Sequence, residues 1–128
     1  MWANSLSITS VAKITVIQPG TVLRATTGLN VRNKANGADV LATLIAGALV
    51  TALASPANGW VQVSVTGRCP VASPVTLRYE DSEKSLVIAK VHKTKSLVDL
   101  VPAMGGWRFV RLTGFCSVRF TQIVQPNG

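Results

Sequence analysis

Val61, Val63 and Val65 alternate with Gln62 and Ser64, a period of two that predicts a strand with one buried face. Leu29 and Val31 alternate in the same way with Asn30 and Arg32. Between these segments Val40, Leu41, Leu44 and Ile45 form an apolar run, Ala46-Gly47 interrupts it, and Leu49 to Ala54 resumes it. Asn33 to Asp39, with Asn36-Gly37 at its centre, reads as a polar loop, and Ser55-Pro56-Ala57-Asn58-Gly59 as a turn cluster. Thr66-Gly67 reads as one more turn. Short strands with turn signals every eight to twelve residues or so predict a small barrel, not a helix bundle.

The pattern is then written again. Gly59 to Val71 (GWVQVSVTGRCPV) returns as Gly106 to Val118 (GWRFVRLTGFCSV), 47 residues later, with 7 of 13 positions identical. About one identity is expected by chance at ordinary residue frequencies. Ser73-Pro74-Val75-Thr76-Leu77-Arg78 aligns with the first strand, Arg78 standing where Arg32 stands and Thr76 replacing Asn30. Tyr79 to Ser85 is the matching polar loop, Leu86 to Val91 the second strand, and Leu97, Val98, Leu100 and Val101 the third. Lys93-Thr94-Lys95 replaces the Gly47 turn. The expected organisation is all-β: residues 1–20 as an N-terminal strand or arm, 21–72 and 73–124 as two barrels with almost no linker, and 125–128 as a tail. Within 1–20, Leu6, Ile8, Ile14 and Val16 predict one or two strands before the Pro19-Gly20 turn. A strand packed on the first barrel is favoured over an arm added to a neighbouring subunit; Trp2 anchors either.

Composition narrows the picture. Only 14% of the 128 residues are charged, against roughly 25% in a typical domain. Such a surface points to cover by a partner or by neighbouring copies, unless Thr, Ser and Asn fill the gap. The net charge of +8 is spread along the chain, without the run of like charges that marks a nucleic-acid tail. The longest apolar stretch, Val40 to Ala54, is too short to span a membrane, and Met-Trp-Ala-Asn begins no secretory signal, so a soluble chain is expected.

Leu29-Asn30-Val31-Arg32, a polar loop, strands split by Gly47, and Asn58-Gly59-Trp60 together resemble the bacterial SH3 (SH3b) domain, more closely in the first copy than in the second. The resemblance implies two tandem SH3-like barrels. If the family's groove is kept, Asn30, Arg32 and Trp60 line it in the first copy, and Arg78, Tyr79, Trp107 and Phe115 in the second. Gly67-Arg68-Cys69 departs from the family's glycine–aromatic–valine motif, and Gly114-Phe115-Cys116 restores the aromatic. Trp60 and Trp107 either fill the barrel mouths or stand half exposed as walls. Arg32 and Arg78 suit a carboxylate such as a peptide terminus.

Equipment for bond-making is sparse. His92 is the only histidine, flanked by Val91 and Lys93, and reads as a strand or turn residue. Glu80, Asp81 and Glu83 share one loop without the calcium-loop pattern, and read as a solvated loop. Cys69 and Cys116, where the family places a core valine, read as buried hydrophobes rather than as a disulfide between barrels. No catalysis, cofactor or metal is expected. The resemblance implies a non-enzymatic docking module, since SH3b domains accompany cell-wall enzymes and phage lysins and bind peptidoglycan peptides. With no export signal and little charge, the reading leans to a bacteriophage virion component, a capsid decoration or tail protein, in an oligomer or larger particle. The alternatives are an excised peptidoglycan-binding module at an extracellular surface, and a nucleic-acid-binding barrel using Arg108, Arg111 and Arg119 beside Trp107 and Phe115.

Overall fold

A computed structural model describes residues 13–126. Ten strands follow in order: β1 (Val22–Ala25), β2 (Leu29–Arg32), β3 (Val40–Leu44), β4 (Leu49–Ala52), β5 (Trp60–Pro70), β6 (Thr76–Arg78), β7 (Val87–Val91), β8 (Val98–Asp99), β9 (Trp107–Ser117) and β10 (Thr121–Ile123). The chain is all-β and built as a closed small barrel with further strands, the architecture its alternation predicts. The barrel ring runs β5-β6-β7-β3-β2-β9 and back to β5, so three of its strands come from each copy of the repeat.

The two long strands are the spine. They pair antiparallel over their whole length, from Trp60 opposite Ser117 to Pro70 opposite Trp107. Val65 faces Leu112, its own repeat counterpart, at the centre of that ladder. On the far side of the ring β3 meets β7 with Thr43 opposite Lys90, again counterparts. The copies are therefore related by a pseudo-two-fold axis through these two rungs. Even the turns obey it: Ala57 bridges Trp60 as Met104 bridges Trp107, and the Val71 amide donates to Gly106 O as the Val118 amide donates to Gly59 O, both at 2.9 Å. Asn58-Gly59 and Gly105-Gly106 take left-handed φ at the same places.

The core lies inside the ring. Val61, Val63, Val65 and Cys69 from β5 meet Val110, Leu112 and Cys116 from β9, joined by Leu23, Val31, Leu44, Leu77 and Ile88. All twelve are fully buried, which by area alone favours folding by about 1.5–3 kcal/mol for each valine- or leucine-sized side chain.

Thr66-Gly67 and Thr113-Gly114 do not turn; β5 and β9 run straight through them. The glycines are there because another strand lies on them. A β-carbon on Gly67 would stand 3.1 Å from Arg78 O, and one on Gly114 would stand 2.7 Å from Arg32 O. Each hairpin thus crosses a long strand at its glycine, and the strand crossed belongs to the other copy: Arg32 of β2 pairs with Phe115 of β9, and Arg78 of β6 with Arg68 of β5.

Two other expectations change. The third strand of the second copy shrinks to Val98–Asp99, and a 3₁₀ turn over Thr94–Ser96 precedes it. Ile14 and Val16 form no strand; instead the Gln125 side chain accepts from the Ile14 amide and donates to its carbonyl, both at 2.8 Å. Leu6, Ile8 and Trp2 lie outside the described residues. Strands β1 and β10 break the symmetry by covering the outer edge of β4. Among the described residues no strand pairs with the equivalent edge of β8, and Asp99 stands where Ala52 is buried beneath β1. Asp99 accepts from Arg108 at 2.8 and 3.3 Å, so an ion pair guards the edge against a stray strand.

Candidate functional site

Asn30, Arg32 and Trp60 come together. They line a cleft of about 280 Å³ with Gly28, Leu29, Ser117 and Phe120. The cleft forms where β2 of the first copy lies against β9 of the second, so its far wall, Ser117 and Phe120, belongs to the other half of the chain. Alternation on β2 buries Leu29 and Val31 and leaves Asn30 and Arg32 half exposed. Trp60 is half buried at the start of β5, opposite Ser117.

Two of these side chains are held. Arg32 donates from Nη1 to Gly37 O at 3.0 Å, clasping the polar loop between β2 and β3. Asn30 Oδ1 accepts from the Thr43 hydroxyl at 2.8 Å. That hydroxyl has one hydrogen, so its contact with His92 Nε2 at 2.8 Å makes the imidazole the donor. His92 is thereby placed as a prop behind Thr43, which in turn holds Asn30. Phe120 closes the end, with the Arg119 guanidinium 5.4 Å above its ring.

The four residues expected of the second copy do not converge in this way. Arg78 lines a smaller cleft of about 150 Å³ with Pro70, Ser73, Val75, Thr76 and Glu83, the axis-related mate of the first. It repeats the clasp, donating from Nη1 to Ser85 O at 2.8 Å. Trp107 is half buried at the start of β9, opposite Pro70, and lines neither cleft. Phe115 is half buried beside Arg32 and Gln62, so it neighbours the first copy's cleft and not the second's. Tyr79 is 41% exposed and lies against Leu49, Ser64, Arg68 and Phe109, on the first copy's outer sheet.

No protein-family model, curated protein or solved structure matches this chain. The site therefore stands on its own chemistry.

Among the described residues, no three His, Cys, Asp or Glu side chains lie close enough to hold a metal ion. Cys69 and Cys116 are free and fully buried. Cys116 sits opposite Val61, eight positions from Cys69 along β5, or about 27 Å at strand spacing, which no disulfide bridges. Burial pushes the Cys116 thiol up to about 12. Burial also raises Cys69, with the Arg108 charge working the other way. Both copies thus place a protonated thiol in the core. Arg108 is tied to Asp99, while Arg111 projects from the opposite face of β9, so the basic residues considered for nucleic acid do not form one surface on that strand. No helix among the described residues is long and apolar enough to cross a membrane.

Sequence reasoning missed Ser117, Phe120, Arg68 and Phe109. The first two join the cleft only because each hairpin pairs with the other copy's long strand, which no local pattern announces. Arg68 stacks 4.6 Å over Phe109 across the β5–β9 ladder, a pairing legible only once that register is known.

Proposed function

We propose that this chain is a non-enzymatic docking module of SH3b type that takes its place in a protein assembly, a bacteriophage virion being the setting its low charge favours. The observation that carries the proposal is the cleft of Asn30, Arg32 and Trp60. Its polar groups are positioned before any ligand arrives: Asn30 through Thr43 and His92, Arg32 through Gly37. Fixed donors beside aromatic walls suit recognition, because little side-chain entropy is lost on binding. A ligand presenting a carbonyl or carboxylate would meet the Asn30 amide and the remaining Arg32 donors, with its apolar part against Trp60 and Phe120.

The test is co-sedimentation of the purified chain with phage capsids, with phage tails and with peptidoglycan. Retention on one of them, weakened at least tenfold by Trp60→Ala and little changed by Trp107→Ala, is the expected result. Retention on none of the three, or equal loss in both variants, would overturn the reading. Retention on peptidoglycan alone would move the module from the virion to the cell wall.

A further inference from the structure

Strand β5 has a missing rung. Its odd-numbered residues bond to β9, as the flanking Gly59–Val118 and Val71–Gly106 bonds show, so its even-numbered residues turn their N–H and C=O the other way. On that side Gln62 and Ser64 meet β4, and Arg68 meets β6. Thr66 falls between the two neighbours and pairs with neither. In register its partner would be Leu49, but the Leu49 amide donates to the Tyr79 hydroxyl at 3.4 Å instead. Tyr79 thus fills the gap between β4 and β6 beside Thr66. At the axis-related place Thr113 likewise falls between Arg111, paired with β8, and Phe115, paired with β2, but the residue beside it is Asn33, tied to its own loop by the Asp39 carboxylate and carbonyl.

The gap leaves a notch of about 280 Å³ on the outer face of the sheet, with Tyr79 on its wall. Hydroxyls of Thr51, Ser64, Thr66 and Tyr79 line it, with the Phe109 ring and the Arg68 guanidinium as a stacked wall. Asp81 holds Arg68 from outside at 3.3 Å. A backbone donor and acceptor side by side, at the spacing of a sheet rung, match a group that offers a C=O and an N–H together.

We propose that this notch binds a small ligand carrying a secondary amide, the Thr66 N–H and C=O completing with it the rung that Leu49 does not make. The notch is closed at its ends by β4 and β6, so a single amide-bearing unit enters and a continuous strand does not. Acetamido sugars and single peptide units both carry the group, and the hydroxyl-rich lining serves either. This site is separate from the Trp60 cleft and does not depend on the function proposed for it.

The experiment is a ¹H–¹⁵N NMR titration of the full chain with N-acetylglucosamine, with N-acetylalanine N-methylamide, and with glucose as the amide-free control. Saturable shifts of the Leu49, Thr66 and Tyr79 amides with an acetamido probe, and none there with glucose, are expected; the tighter probe names the source of the amide. Tyr79→Phe keeps the ring and removes the hydroxyl, and should weaken binding by about two- to tenfold, the range of one hydrogen bond. Trp60→Ala should leave these shifts intact. Absence of shifts at the three amides, equal shifts with glucose, or an unchanged affinity in a folded Tyr79→Phe chain would each overturn the proposal.

Discussion

Adding one methyl group to each crossing glycine tests the hairpin exchange directly. A β-carbon at Gly114 would lie 2.6 Å from Val31 Cγ1 and 2.7 Å from Arg32 O, both too close for any real contact. At Gly67 the nearest atoms are Ile88 Cδ1 at 3.0 Å, Arg78 O at 3.1 Å and Leu77 Cβ at 3.2 Å, the first being the far end of a flexible side chain. Overpacking a core costs about 1–3 kcal/mol, while replacing glycine returns about 0.4–1 kcal/mol through the unfolded chain. Gly114→Ala should therefore lose about 2–3 kcal/mol, because the backbone of β2 has to move, and Gly67→Ala about 1 kcal/mol or less. At about 4 °C per kcal/mol for a domain of this size, Tm falls by about 8–12 °C in the first and about 4 °C in the second. Gly28→Ala is the control: among the described residues only Leu44 O, at 3.9 Å, lies within 4 Å of an added β-carbon, so it should be neutral or slightly stabilising. Thermal and urea unfolding of the three variants is the assay. If Gly114→Ala proves as stable as Gly28→Ala, β2 does not cross β9 at that residue and the ring is wrongly drawn.

Stability should also fall as pH rises from about 9 toward 12, the span between the ordinary thiol value of 9.0 and that of buried Cys116. In that window the folded chain keeps a proton that the unfolded chain releases, so alkali favours unfolding. Urea curves from pH 7 to 11 measure the slope, Cys116→Val should flatten it, and an unaltered slope would refute the assignment. Residues 21–72 and 73–124 made as separate chains should each be unfolded, and should form sheet when mixed, since neither holds all six strands of the ring. A cooperative transition by circular dichroism in either piece alone would contradict this.

Much of the architecture is legible in the residue pattern. Alternation at Leu29–Arg32 and Trp60–Val65 marks real strands, and the 47-residue repeat marks real structural equivalence, down to paired turns and paired arginine clasps. The exchange of hairpins is not legible. Each hairpin buries the same side chains whether it lies on its own long strand or on its near-identical counterpart, so local sequence does not distinguish the two pairings. Thr-Gly misleads for a related reason: glycine serves a turn or a close crossing equally well, and only the neighbour overhead tells which. In the candidate site, Asn30, Arg32 and Trp60 were found because they share one hairpin and one turn. The surroundings of Phe115 and Tyr79 are not legible, because their neighbours come from across the axis.

The rotation that carries Val65 onto Leu112 suggests a history. Two unlinked half-length chains of one sequence could clasp about that same line, each lending its ribbon to the other, as an isologous homodimer. Fusion frees such partners from having to be alike. One face could then keep a tryptophan while its mate gained Glu83, and one flank could be sheathed while the other was left to a charged sentinel. Whatever selectivity this protein has should be sought in those departures from sameness.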